Sequence, residues 1–403
     1  MIDRQYILDF ARELGLAPEI VEKDYVIGWV LSGIGQDESL SKGWAFKGGT
    51  CLKKCYLETY RFSEDLDFTV MPGQPVRGED LLPVARRILG RVHDDSGIVF
   101  TDRPPLFKAH PSGSYTEGRL YYRGPRNTPS VASIKLDLSA SEKLARPSVL
   151  QPISHPYPDR LPPPGRARCY SFHEVFAEKI RAMSERGRPR DLYDIVNLFR
   201  REDLRQQPAL VYQILKEKCE SKGVAIPRFA TLEKSPHRAE LEAEWSNMLA
   251  HQLPQLPPFQ GFWAELPNLF DWLEGRIAVP ALAPVPATEA TDKDWTPPAT
   301  VWRWEMAVPV ESIRFAAANH LCVDLGYEGS VRRIEPYAFR HSSQGALLLC
   351  AVIGDTRETR TYRVDRIESV QVSTTSFSPA FRIEIGGSGA MAGPPPGGDA
   401  SLP

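Results

Sequence analysis

Ala45-Phe46-Lys47-Gly48-Gly49-Thr50, followed a little later by Arg61-Phe62-Ser63-Glu64-Asp65-Leu66-Asp67-Phe68, is the stretch on which the reading of this chain turns. Paired glycines let backbone N–H groups turn toward an anion, and a helix predicted over Cys51 to Tyr60 adds its positive dipole end just behind them. In the strand that follows, Asp65 and Asp67 are two residues apart, so both carboxylates point to one side. Two like charges held close are costly unless a cation lies between them. A phosphate cradle beside paired carboxylates is the equipment of Mg²⁺-assisted phosphoryl or nucleotidyl transfer.

Working outward, the remaining residues bound the answer. The chain has 403 residues, a formal net charge of −2 and 25% charged residues. That length holds two or three domains, and no global basic excess advertises nucleic acid. The N-terminus lacks a basic-then-apolar signal pattern, and no long uncharged apolar run could span a bilayer. Six scattered cysteines argue for a reducing cytoplasm rather than a disulfide framework. Cys51 and Cys55 share a helix face, but no nearby His or Cys completes a zinc set, so they are expected to be core thiols.

Helices are expected over 3–14 and from Pro18, where Glu22, Lys23 and Asp24 read as a solvated face. Another helix follows Gly73, then strands over Tyr115–Tyr122 and Ser133–Ser139. On the second strand Asp137 faces away from Ile134, Leu136 and Leu138. Arg123 and Arg126 read equally as phosphate contacts or solvent charges. The proline-rich residues 147–165 should run extended over the surface. A helix from Ser171 to about Glu185 carries Lys179 beside its apolar stripe, where a lysine either snorkels to water or meets an anion. Asp191 and Asp194 share a face at the start of the next helix; the first fits a capping role, the second less so. Lys216, Lys218 and Lys222 offer a mildly basic face that could touch RNA or simply be solvated.

Residues 279–304 alternate proline with small and charged residues and read as a linker. Beyond it a helix over Val310–Asn319 and strands over 321–325, 332–339, 346–352, 359–364 and 367–372 form a separate module. From Gly386 the Gly- and Pro-rich tail is expected to be disordered.

The Gly-Gly-Thr loop followed by Asp-x-Asp resembles the nucleotidyltransferase superfamily. More narrowly, Lys47-Gly48-Gly49-Thr50 with Ser63-Glu64-Asp65-Leu66-Asp67-Phe68 looks like the AbiEii/AbiGii abortive-infection toxin family. Glu22-Lys23-Asp24-Tyr25, Glu178-Lys179 and Arg190-Asp191-Leu192-Tyr193-Asp194 fit that family too. Arg333, Glu335-Pro336-Tyr337 and Arg360 to Ile367 resemble the WYL domain, with Leu347-Leu348-Leu349 in place of the eponymous triplet.

The resemblance implies an α+β nucleotidyltransferase fold, a small mixed sheet with flanking helices and then a helical region, plus a small Sm-like β-barrel-type WYL-like domain. The divisions are 1–165 catalytic, 166–278 helical, 279–304 linker, 305–385 WYL-like and 386–403 tail. It implies Asp65, Asp67 and Asp137 as ligands of two Mg²⁺ ions. Lys47, Gly48, Gly49, Thr50, Ser63 and Lys179 would contact the nucleoside triphosphate, with Arg190 and Asp191 in support. Asp194 would orient Lys179 or the base of an acceptor. Expected partners are an RNA acceptor such as tRNA, a cognate antitoxin, and a nucleotide or nucleic-acid ligand at Arg333, Arg360, Arg363 and Arg366, where Arg–Asp pairing is an equal alternative. A small-molecule nucleotidyltransferase and an inactive nucleotide-binding regulator are the competing readings.

Overall fold

Trp44-Ala45-Phe46 is apolar on both strand faces, which suits only a strand covered on both sides. In the computed structural model, which describes residues 2–385 except 58, 202–204, 206, 293–294 and 296–309, this segment is β1 (Trp44–Lys47) near the middle of a seven-stranded sheet. The other strands are β2 (Asp65–Val70), β3 (Leu106–Ala109), β4 (Tyr115–Tyr122), β5 (Ala132–Ser139), β6 (Val149–Pro152) and β7 (Arg166–Cys169). Their order is β3-β4-β5-β2-β1-β7-β6, with β2–β5 and β1–β7 parallel and the other pairs antiparallel.

Helices α1 (Arg4–Leu14) and α2 (Pro18–Gln36) precede the sheet; Asp3 caps α1 by accepting from Tyr6 N at 2.8 Å, and Pro18 starts α2. After α3 (Leu40–Gly43), α4 (Gly48–Cys55) leaves β1 directly, and α5 (Gly78–Ser96) packs on α2. Beyond the sheet come α6 (Phe172–Arg186), α7 (Pro189–Phe199), α8 (Pro208–Lys222), short turns from Phe229 to Trp263, and α9 (Leu266–Leu273).

Two expectations are corrected here. Glu22 and Asp24 are not a solvated face: they are 3% and 2% exposed. Glu22 accepts from Arg126 N at 2.7 Å, Lys23 pairs with Glu64 at 2.5 Å, and Asp24 accepts from Lys54 Nζ at 2.5 Å and Tyr157 OH at 2.9 Å. Tyr25 OH donates to Asp159 at 2.5 Å. This turn therefore fastens α4 and the segments around Arg126, Glu64 and Tyr157–Asp159 to α2. Nor does the proline-rich segment simply cross the surface. It contributes β6 to the sheet edge, and Ile153, Ser154 and Tyr157 are buried, with Ser154 N donating to Lys54 O at 2.6 Å.

The second module is α10 (Val310–Ala318) on a five-stranded antiparallel sheet of β8 (Leu321–Tyr327), β9 (Ser330–His341), β10 (Leu347–Ile353), β11 (Thr359–Arg363) and β12 (Ile367–Ser376). The order β11-β10-β9-β8-β12 leaves β11 and β12 at opposite edges, and among the described residues no pairing closes the barrel. Of the linker, Pro284 bridges to Arg382 and Thr291 to Ser342, so this part lies along the module; residues 293–294 and 296–304, like the tail from 386, fall outside the described residues. Thr59 Oγ1 donates to Glu311 at 3.1 Å and Arg200 Nη1 to Ala318 O at 3.2 Å, joining the two parts.

Burial pushes the Lys54 pKa down, with the Asp24 charge opposing it. Breaking such a pair strands a charge in the core. Lys54→Met is expected to cost about 3–5 kcal/mol in denaturant unfolding, and Lys54→Met with Asp24→Leu to recover most of that loss.

Candidate active site

The register of the sheet assembles the carboxylates. Asp67 on β2 lies opposite Asp137 on β5 and opposite Lys47 on β1, while Asp65 lies opposite Lys135. Period-two alternation puts Asp65, Asp67 and Asp137 on one face. No hydrogen bond or salt bridge reaches the side chain of Asp65 or Asp67 among the described residues. Burial raises the Asp67 pKa to about 6, with Lys47 opposing and Asp137 and Asp65 reinforcing. Burial raises Asp65 too. Asp137 is engaged, accepting from Tyr115 OH at 2.6 Å and Lys135 Nζ at 2.8 Å. Unpaired, partly buried carboxylates on adjacent positions are a hard-oxygen donor set that fits a divalent cation such as Mg²⁺.

The glycine loop presses on this set. Gly48 has φ +78°, and a Cβ there would lie 2.3 Å from Asp67 Oδ2; one on Gly49 would lie 2.3 Å from Arg61 Nη2. Both positions are closed to any side chain. Thr50 and Ser63, expected at the phosphate, are joined to each other: Thr50 Oγ1 lies 2.9 Å from Ser63 Oγ and donates to Asp65 O at 2.5 Å. Thr50 is 1% exposed and pins α4 to the start of β2.

Arg61, which its place in the sequence did not single out, ties the loop to the helical region. Its Nε and Nη2 donate to the two oxygens of Asp194 at 2.7 and 2.8 Å, and Nη1 donates to Gln252 at 2.9 Å. Asp194 also accepts from Tyr60 OH at 2.5 Å and pairs with Lys179 Nζ at 2.7 Å. Arg61 and Lys179 hold its pKa far below the carboxylate range despite full burial. Four donors surround this buried carboxylate, so the geometry is that of a group orienting Lys179. Asp191 is likewise buried, bound by Arg186 at 2.7 and 2.9 Å and facing Lys179 at 3.4 Å. Lys179 is close enough to Asp67 for its charge to lower that carboxyl's pKa. Arg190 differs: burial lowers its pKa, Asp65 and Glu64 act on it, and its Nε has no partner among the described residues.

Lys47, expected at the nucleotide, pairs with Glu142 and with Glu178 at 3.4 Å. Burial opposes ionisation of Glu178, but Lys47, Lys218 and Arg181 bring its pKa down to about 2. Of the three lysines read as a mildly basic face, Lys218 is buried against Glu174 at 2.7 Å, while Lys222 meets Glu142 at 3.6 Å and the exposed Lys216 meets Glu220 at 3.9 Å. Arg123 pairs with Asp102 at 2.7 Å, and Arg126 sits against Glu19 and Glu22. In the second module Arg333 pairs with Asp324, Arg363 with Asp365 and Arg366 with Glu328. Arg360 alone of that set has no carboxylate partner among the described residues; it lies over the Tyr362 ring. The anion cluster is thus largely neutralised.

Residues 29–274 match the family described as "Nucleotidyl transferase AbiEii toxin, Type IV TA system", and residues 310–372 match the WYL domain. Among solved structures the chain is similar to "MenT4, nucleotidyltransferase toxin Rv2826c from Mycobacterium tuberculosis H37Rv", at 18% identity and a TM-score of 0.48, over 68% of this chain and 90% of that one. The comparison with curated proteins finds no match.

A carboxyl whose folded pKa exceeds its unfolded value binds its proton more tightly when folded. Its contribution therefore falls as pH rises from about 4 to about 6 and stays lost above. In the metal-free protein at pH 7, Asp67→Asn is expected to raise unfolding stability by about 1–3 kcal/mol, a gain that shrinks toward pH 4. Added Mg²⁺ should stabilise the native chain and not this variant. Arg61→Met should cost about 3–5 kcal/mol by stranding Asp194, and Arg61→Lys should not restore the loss because a lysine cannot make the bidentate contact.

Proposed function

Because the chain belongs to the AbiEii nucleotidyl transferase toxin family, we propose that it transfers a nucleoside monophosphate from a nucleoside triphosphate to an RNA acceptor, with tRNA as the first candidate. The observation that carries this reading is the pair of unpartnered carboxylates, Asp65 and Asp67, beneath a glycine loop that no side chain could occupy. Asp65, Asp67 and Asp137 would hold Mg²⁺, which supplies Lewis acidity toward the acceptor hydroxyl and the departing pyrophosphate. Backbone N–H groups at Gly48 and Gly49, at the start of α4, face the triphosphate. Lys179, steadied by Asp194 and Asp191, and Arg190, with its free Nε, neutralise phosphate oxygens as the acceptor attacks the α-phosphorus. Lys135 and Tyr115 hold Asp137 in the absence of a ligand. Thr50, Ser63 and Lys47 act one layer back, fixing the loop and the strand edge.

The biological role in this reading is that of a cytoplasmic toxin in phage defence, restrained by a separately encoded antitoxin. No described helix is long and apolar enough to cross a membrane. The WYL domain would take a nucleotide or nucleic-acid ligand, with Arg360 as its available cation.

Incubation of the full chain with each labelled nucleoside triphosphate, Mg²⁺ and total RNA is expected to label a discrete RNA. Asp67→Ala should abolish labelling, and Lys179→Met should reduce it by at least about 100-fold. Labelling of small molecules without RNA would move the reading to a small-molecule transferase. Nucleotide binding with no pyrophosphate release would leave a regulator.

A further inference from the structure

Cys51 and Cys55 lie one turn apart on α4, and the fold adds a third thiol that their spacing cannot announce. Cys169 ends β7, where it pairs with Phe46 of β1, the strand that feeds the glycine loop. The three Sγ atoms all lie within 4.8 Å of one another, and each residue is 0% exposed. An ion bonded to three thiolates at about 2.3 Å needs sulfur separations of about 4 Å, close to the spacing found here. Among the described residues no carboxylate or imidazole joins the set, so its donors are all soft. They select thiophilic d¹⁰ cations over Mg²⁺, which the hard oxygens of Asp65, Asp67 and Asp137 suit.

We propose that Cys51, Cys55 and Cys169 form a buried three-thiolate site for a thiophilic d¹⁰ cation, separate from the carboxylate face. The ion replaces three thiol protons and bridges α4 to β7. It thereby braces the helix whose first residues are Gly48, Gly49 and Thr50. Full burial is what a structural site requires, because its ion is acquired during folding rather than exchanged with solvent.

Cd²⁺ serves as the probe, since its thiolate bonds absorb in the near ultraviolet and those of Zn²⁺ do not. The full chain is stripped of metal under reducing conditions, refolded with one equivalent of Cd²⁺ and titrated. The expected result is a sulfur-to-metal charge-transfer band saturating at one ion per chain. Zn²⁺ should compete it away and excess Mg²⁺ should not, and Tm should rise by several degrees. Cys169→Ser should weaken binding by more than about 100-fold, since changes to outer partners alone cost 10–100-fold; Cys219→Ala should bind as the native chain does. Absence of the band at one equivalent, or equal titration of Cys169→Ser and the native chain, overturns the proposal. Where Cys169→Ser does not fold, the band and stoichiometry of the native chain decide.

Discussion

The bidentate contact between Arg61 and Asp194 is the constraint on which the rest depends. It spans 133 residues of sequence and is buried at both ends. A buried carboxylate is tolerable only when its lone pairs are satisfied. Asp194 meets that condition with Arg61, Tyr60 and Lys179 together, and so the same contact that docks the helical region onto the sheet also places the lysine. Arg61 then lies so close to Gly49 that the loop can carry no side chain there. Positioning of the cation, shape of the loop and docking of two regions are consequences of one ion pair.

Across the sheet the logic is reversed. Where Asp194 is saturated with donors, Asp65 and Asp67 have none, and burial with mutual repulsion holds their protons more tightly than usual. A fold that maximised its own stability would have paired them. The cost is concentrated at one face of β2 and is relieved by any cation that arrives there, which is how a binding site differs from an error of packing.

Much of this was legible because it is local. The Gly-Gly-Thr loop, the Asp-x-Asp alternation and the strand carrying Asp137 depend on spacings of a few residues, and the element order follows from periodicity and punctuation. Partners were not legible. Glu22 and Asp24 look like solvent charges because Arg126, Lys54 and Tyr157 are far away in the chain; Lys218 looks exposed because Glu174 lies on another helix. Lys47 gives no local sign of Glu142 and Glu178, which converge on it from distant parts of the chain. The five strands of the second module could be counted, but whether a sheet closes depends on twist and edge register, which side-chain pattern does not encode.

The hydrogen bond from Thr59 to Glu311 lies two residues from Arg61, and the apolar core runs without a break from Ile7 and Phe46 to Ile313 and Val323. Such a seam constrains inheritance. Recombination that brought a foreign C-terminal half to this enzyme would have to match α10 against α7 and the 59–61 turn, or expose both. The two modules are therefore expected to be inherited together rather than exchanged one at a time.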